Sequence, residues 1–461
     1  MTNKVEIILE NNVVITQNDT VKEFVENSAG GHCSIVVGDV HYIVIKESKK
    51  TPLTLEKVRA TAGNISRDLG KRKVNGASIS DDVLTAAYSE LEKGSVLTAF
   101  VEGWDLGAYQ FAKYKPSVTP FRTELEVTGT DITAFLNEGK IRAEATSFSR
   151  DLMNEVSNVL NPTTFPEVLK ENFKDLNVEV NVLDKKKLEE MEMNGVLTVG
   201  RGSMYPPTFV ELVYKGDESK PLVALVGKGV TFDTGGISLK SGKDLSDMRM
   251  DMGGAAAVSG ALTLLAKMKA KVNVVVLIPI VENAADNTSV LPGEVIHYKN
   301  GLTVQVGNTD AEGRLILADA LIRAGEWNAE YIVNIATLTG AVVAALGTEL
   351  GGVFGDEELS AIMKKVGDIN GDFNWPMPLV EAYDSSLDSD YADMNNISSL
   401  SVAGSITAGL FLRRFVPKGS KWLHVDMAGV MDKSKDSGYY AKSATGYGAR
   451  LLADYTTRIS K

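Results

Sequence analysis

The sequence predicts an α/β fold: a small N-terminal α/β domain plus a larger C-terminal α/β domain with a mixed, mostly buried sheet sandwiched by helices. Three observations predict it. At 461 residues the chain is too long for one ordinary hydrophobic core, so two domains are expected. Beyond residue 200, nearly continuous apolar runs stand at 208–214, 222–226, 272–281, 331–336 and 422–427. Unbroken apolar runs of that length imply strands buried on both faces. Between several of them lie helix-spaced segments, 254–268, 315–326 and 340–346, which would cover those faces.

The first domain is placed at residues 1–145. Apolar runs at 5–9, 34–37, 42–45 and 95–101 read as strand candidates, and 54–69 and 80–91 have helix spacing. No catalytic constellation is visible there. His32, Cys33 and His41 lie close together, but they flank an apolar strand candidate and read as sheet residues rather than ligands. Residues 144–160 are polar and helix-compatible, and they stop at Asn161-Pro162, where proline disfavours helix in the residue before it. A linker helix is therefore placed at 146–165 and the second domain at 166–461. Within that domain, 295–298 and 302–306 flank Lys299-Asn300-Gly301, whose Asn-Gly favours a hairpin and so a mixed sheet.

Composition excludes several classes. Hydrophobic residues are 44% and charged residues 23%, the proportions of a soluble globular protein. A net charge of −12 opposes non-specific binding to nucleic acid or to an anionic membrane, and it suits a cationic partner such as a free amino terminus. With Cys33 alone, no intramolecular disulfide and no Cys-rich zinc site can form. The N-terminal residues show no basic stretch leading into a long apolar segment, and no apolar run approaches the ~20 residues of a membrane span. A cytoplasmic protein is expected.

The chemistry is concentrated between residues 225 and 314. Asp233, Asp251, Asp310 and Glu312 each follow an apolar run or open a helix candidate, which would bring them to the C-terminal edge of the sheet. Alone, each would read as a helix cap or a surface acid. Gly229, Gly235, Gly236, Gly253, Gly254 and Gly313 crowd the same loops, however, and capping requires no such freedom of backbone approach. Carboxylates sharing one pocket repel each other and resist ionising unless cations compensate, and a pair of divalent ions would do so. Lys228 and Lys240 lie in the same loops, each able either to ligate as a free amine or to stabilise an oxyanion as an ammonium. Arg314 suits a bidentate grip on an anion. His297 and His424 fall in strand candidates and read as structural, and no His-Glu-x-x-His, P-loop or Gly-x-Ser-x-Gly element is present.

These residues resemble the leucine aminopeptidase family, the cytosolic two-metal exopeptidases. The most specific stretch is Asn308-Thr309-Asp310-Ala311-Glu312-Gly313-Arg314-Leu315, and residues 226–240, 248–256, 336–341, 375–379, Ala392-Asp393 with Asn395, and 424–429 match as well. The likeness covers nearly all of 145–461 and is weak over 1–140, where 106–111 is the best stretch. Glu155-Val156 departs from the family, which often has proline after the acid.

The resemblance implies a two-domain fold with the C-terminal domain catalytic. It implies that Lys228, Asp233, Asp251 and Glu312 hold one divalent ion, and that Asp233, Asp310 and Glu312 hold the other. Zn²⁺ or Mn²⁺ is expected, with Co²⁺ or Mg²⁺ also compatible. Lys240 and Arg314 fall on the two catalytic positions, Arg314 with a bicarbonate that acts as general base. Met248, Asn308, Thr337, Leu338 and Gly340 would line the pocket for the N-terminal side chain. The implied activity is release of the N-terminal residue, leucine or another apolar one, from peptides by attack of a metal-bridging hydroxide. The implied assembly is a homohexamer, a dimer of trimers. Some members also bind DNA as architectural or regulatory proteins, an alternative that the acidic balance opposes.

Overall fold

The computed structural model describes residues 4–46, 52–242 and 244–461; residues 1–3, part of the N-terminal stretch considered above, lie outside the described residues. The chain divides into two compact units, residues 1–147 with 433–443, and residues 148–432 with 444–461.

In the first unit a five-stranded sheet runs His32–Val37, Val40–Ile45, Lys4–Leu9, Gly76–Ser80, Glu124–Thr128. The first pair is antiparallel and the remaining pairs are parallel. His32, Cys33 and His41 sit in that antiparallel pair as sheet residues, with His41 Nε2 2.6 Å from Ser34 Oγ. The helix expected from residue 54 is Leu55–Lys71, with the Thr54 side chain accepting from the Lys57 amide at its start. Residues 95–101, expected as a strand, lie instead in the helix Lys93–Gly107. That helix is buried almost all round, so it carries no amphipathic period to betray it. Its Gly103 lies against the main chain of Arg59, where a Cβ would come within 2.3 Å of the carbonyl oxygen.

In the second unit a nine-stranded sheet carries the core. Its order is Asn374–Pro376, Gly351–Gly355, Lys421–Asp426, Tyr331–Ala336, Leu222–Gly227, Asn273–Asn283, Thr208–Lys215, Glu179–Leu183, and Gly229–Asp233 pairs further along Asn273–Asn283. The four central strands, from Lys421–Asp426 to Asn273–Asn283, are mutually parallel. Antiparallel neighbours flank them on both sides, so the sheet is mixed. Helices Gly253–Lys267 and Glu312–Glu326 are among those that cover it, and the central strands are buried on both faces, as their continuous apolar runs require.

The hairpin at Asn300-Gly301 forms, with Val295–His297 antiparallel to Thr303–Gln305 and Gly301 at φ +90°. It belongs to a separate three-stranded sheet, where Thr303–Gln305 pairs in parallel with Met394–Asn395, so the mixing of the main sheet comes from other strands. The polar helix expected over 144–160 is Thr133–Asn154, beginning earlier and ending before Glu155. Among the described residues no helix is long and apolar enough to cross a membrane.

Candidate active site

The central parallel strands all end at one edge, and the residues that follow them meet there. Leu222–Gly227 delivers Lys228, Gly229–Asp233 ends on Asp233, and Tyr331–Ala336 delivers Thr337, Leu338 and Gly340. Asp251 precedes the helix Gly253–Lys267, Glu312 opens the helix Glu312–Glu326, and Met248 lies in a short 3₁₀ turn. Every residue picked out from the sequence lines one cavity of about 540 Å³: Lys228, Asp233, Lys240, Met248, Asp251, Asn308, Asp310, Glu312, Arg314, Thr337, Leu338 and Gly340.

Close packing explains why glycines crowd these loops. A Cβ on Gly254 would stand 2.1 Å from the carbonyl oxygen of Ile335, so the helix start could not seat on the strand end. A Cβ on Gly313 would stand 2.7 Å from Cε of Lys228, in the path of that side chain.

The Lys228 ammonium lies 2.7 Å from Asp251 and 2.9 Å from Glu312, and it donates to the Thr337 carbonyl at 3.1 Å. Burial works against its charge, but Asp251, Glu312 and Asp233 outweigh burial and hold it above the usual lysine range. Lys228 is thus ion-paired with the acids it was expected to join as a ligand, and it would have to give up its proton to ligate beside them. Lys240 bridges Asp233, at 2.8 Å, and Asp310. Burial pushes the Asp251, Asp310 and Glu312 carboxyls up from the ordinary range, and the charge of Asp233 pushes them further. Arg314 is buried and drawn down to about 10 by that burial, against the pull of Glu312 and Asp426.

Oxygens of Asp233, Asp310 and Glu312 lie within 4.8 Å of one another, the one group of acids with metal-ligand spacing among the described residues. Glu312 is 2% exposed, and its Oε2 has no hydrogen-bond partner. A buried carboxylate oxygen left without a donor is costly unless a cation completes it. Oxygen donors of this kind suit hard or borderline divalent ions, so the residues fit the ions that the sequence implied.

A model of the cytosol aminopeptidase family, catalytic domain, matches residues 147–453. This chain belongs to that family. It is therefore an aminopeptidase of a metal-dependent class. It is 36% identical to a probable cytosol aminopeptidase of Persephonella marina over 431 residues, covering 91% of this chain and 85% of that one. It is 37% identical to a probable cytosol aminopeptidase of Rickettsia canadensis over 435 residues, covering 92% and 86%. Among solved structures, the bottromycin maturation enzyme BotP in complex with Mn superposes with a TM-score of 0.91 at 30% identity, covering all of both chains.

Around the cavity residues stand others that were not among the expected site residues. Asn283, at the end of its strand, donates to Asp233 Oδ1 at 2.8 Å and to the Thr309 carbonyl at 3.1 Å. Thr309 donates to the Gly235 carbonyl at 2.6 Å, which stitches the two acid-bearing loops together. Asp426, pushed up to about 6 by burial, accepts from the Thr339 hydroxyl at 2.6 Å and from the Leu338 amide at 3.2 Å. It thereby fixes the loop that carries Leu338 and Gly340. Asn396 is treated below. The positions of Asn283 and Asp426 at strand ends were the available signal; the cross-links they make are long-range and leave none.

Proposed function

We propose that this chain hydrolyses the N-terminal residue from peptides, preferring leucine or another apolar residue, with two divalent ions at the cavity floor. One observation carries this reading: the carboxylates of Asp233, Asp310 and Glu312 converge, with a buried oxygen unsatisfied, inside a cavity that Lys240 and Arg314 also line. Lys228, Asp233, Asp251 and Glu312 would hold one ion, and Asp233, Asp310 and Glu312 the other. When bound, such a pair supplies Lewis acidity and activates water at neutral pH. The manganese in the complex of the similar bottromycin enzyme supports Mn²⁺ as one usable ion, beside Zn²⁺, Co²⁺ and Mg²⁺.

The residues of the chain divide the remaining work. Lys240, anchored between Asp233 and Asp310 at the cavity wall, presents a cationic donor to the oxyanion that develops on the first peptide carbonyl. Arg314 donates through Nη1 to the Asn396 carbonyl at 2.8 Å, while its buried Nε has no partner. It suits holding bicarbonate, which when bound offers the proton acceptor that a guanidinium cannot be. Met248, Asn308, Thr337, Leu338 and Gly340 shape the space for the N-terminal side chain, and Met248 and Leu338 give it an apolar wall. The surplus of acids favours the free amine that an aminopeptidase must select.

The test is a panel of aminoacyl amides and dipeptides, presented to protein stripped of metal and reconstituted with each ion in turn. Release of leucine, lost on stripping and restored by Zn²⁺, Mn²⁺ or Co²⁺, is the expected result. A metal-loaded preparation inert on the whole panel would sink the reading. By the resemblance the assembly is a cytoplasmic homohexamer, a dimer of trimers, and a native mass of one subunit at working concentration would overturn that part.

A further inference from the structure

Asn396 belongs to no strand or helix, and it immediately follows the short strand Met394–Asn395. Parallel pairing of that strand with Thr303–Gln305 sets Asn396 beside the loop that starts at Val306 and carries Asp310 and Glu312. Its side chain is fully buried. Its Oδ1 accepts from the amides of Gly307, at 2.8 Å, and Asn308, at 3.2 Å. Its Nδ2 donates to the carbonyls of Asn308, at 2.7 Å, and Ala311, at 3.3 Å. Two donors face the oxygen and two acceptors face the nitrogen, so the amide is used to capacity and its orientation is fixed. Its main-chain amide donates to Gln305 at 2.9 Å, and its carbonyl accepts from Arg314 at 2.8 Å.

Glutamine carries the same amide but one methylene further from the main chain, which is itself held at both its amide and its carbonyl. A serine is too short and an aspartate has no donors. An apolar residue of the same size would leave the loop amides of Gly307 and Asn308 without an acceptor in a buried place. The loop 307–311 has no regular secondary structure, so its shape depends on such cross-links. Asn308 itself accepts from the Asp310 amide at 2.8 Å, which carries the restraint one step further to the acid.

We propose that Asn396 is a positioning residue for the site: one side-chain amide sets the loop bearing Asp310 and Glu312, while its carbonyl sets Arg314. The proposal rests on the site reading given above. It ties two parts of the apparatus, ion retention and placement of the arginine, to a residue outside the cavity lining.

The test compares wild type with Asn396→Asp, which keeps shape and both acceptor lone pairs but turns an oxygen toward the carbonyls of Asn308 and Ala311. Mn²⁺ affinity is read by competition with a chelator, and amide exchange across residues 305–312 is read on metal-free protein. The expected result is a loss of affinity of about 10–100-fold, as for other partners that orient metal ligands. Faster exchange in that loop with the rest of the map unchanged, and a fall in kcat larger than any change in KM, should accompany it. Should Asn396→Asp fail to fold, Asn396→Ser, which introduces no repulsion, takes its place with the same expected signs. A variant with wild-type Mn²⁺ affinity and wild-type loop exchange overturns the proposal alone. Wild type that binds no Mn²⁺ overturns the site reading and the proposal together.

Discussion

Two buried acid–base clusters in the second unit make an instructive pair. Asp372 and Arg450 are both fully buried, 2.6 Å apart, and Asp372 also accepts from the Gly448 and Leu451 amides at 3.1 Å, at the start of the helix Ala449–Ile459. One acid meets one base, its other oxygen meets a helix N-terminus, and the charge is compensated within the protein. In the cavity, among the described residues, the ion pairs of Asp233, Asp251, Asp310 and Glu312 are with Lys228 and Lys240, and Oε2 of Glu312 accepts no hydrogen bond. Unequal compensation separates a cluster that holds the fold from one suited to take up cations.

The largest expected difference between them appears on chelation. Stripping ions present at a thousand times their Kd should abolish turnover and remove about 4 kcal/mol of stability per ion. A thermal melt with and without chelator reads this, and no shift at all would refute ion binding in the cavity.

Next come substitutions that exchange the two situations. Asp372→Ala removes the carboxylate 2.6 Å from a buried guanidinium and the acceptor of two helix-start amides, and should cost about 3–5 kcal/mol in denaturant melts, with ion content per folded chain unchanged. Glu312→Gln removes a charge that burial and Asp233 disfavour and leaves Lys228 paired with Asp251 at 2.7 Å, so the metal-free variant should melt close to metal-free wild type but bind its ions more weakly. If both variants destabilise alike, the distinction between the clusters fails.

Lys240→Met should lower kcat by about 100–1,000-fold with the ions retained, as expected for one oxyanion donor. Loss of ions instead would make Lys240 a structural counter-ion of the Asp372–Arg450 kind.

The smallest effect concerns Asp319, a further buried acid, which among the described residues has no base beside it. It accepts from the Val196 amide at 2.8 Å, and burial pushes it up to about 8. A folded-state value above the unfolded one means that the native state binds the extra proton, so its contribution is fully present below about pH 4. It is lost progressively as pH rises through 8. Asp319→Asn should therefore gain stability over wild type across that range, with equal slopes in the two proteins counting against it.

The site was legible for a physical reason. Acids, lysines and glycines had to be contiguous with the strand ends that carry them, so Lys228, Asp233 and Thr337 are adjacent in sequence to the apolar runs that place them. The central sheet was legible because strands buried on both faces cannot disguise their composition. Residues 95–101 misled because a helix buried on every side is as uniformly apolar as a strand. The hairpin at Asn300-Gly301 was correctly formed but wrongly assigned to the main sheet, since a turn motif specifies pairing and not partners beyond the pair. Asn283 and Asn396 were missed because an asparagine that bridges segments many tens of residues apart leaves no local pattern.

Residues 433–443 belong to the first unit although they come almost at the end of the chain. Arg67 donates to the carbonyls of Gly438 and Tyr440 at 2.7 and 2.8 Å, and Gly63 has no Cβ because Cα of Tyr439 would lie 2.5 Å from it. Synthesis from the N-terminus therefore leaves the first unit without part of its own packing until residues 433–443 have left the ribosome. The usual order, in which an N-terminal domain folds before the next is made, cannot run to completion in this chain.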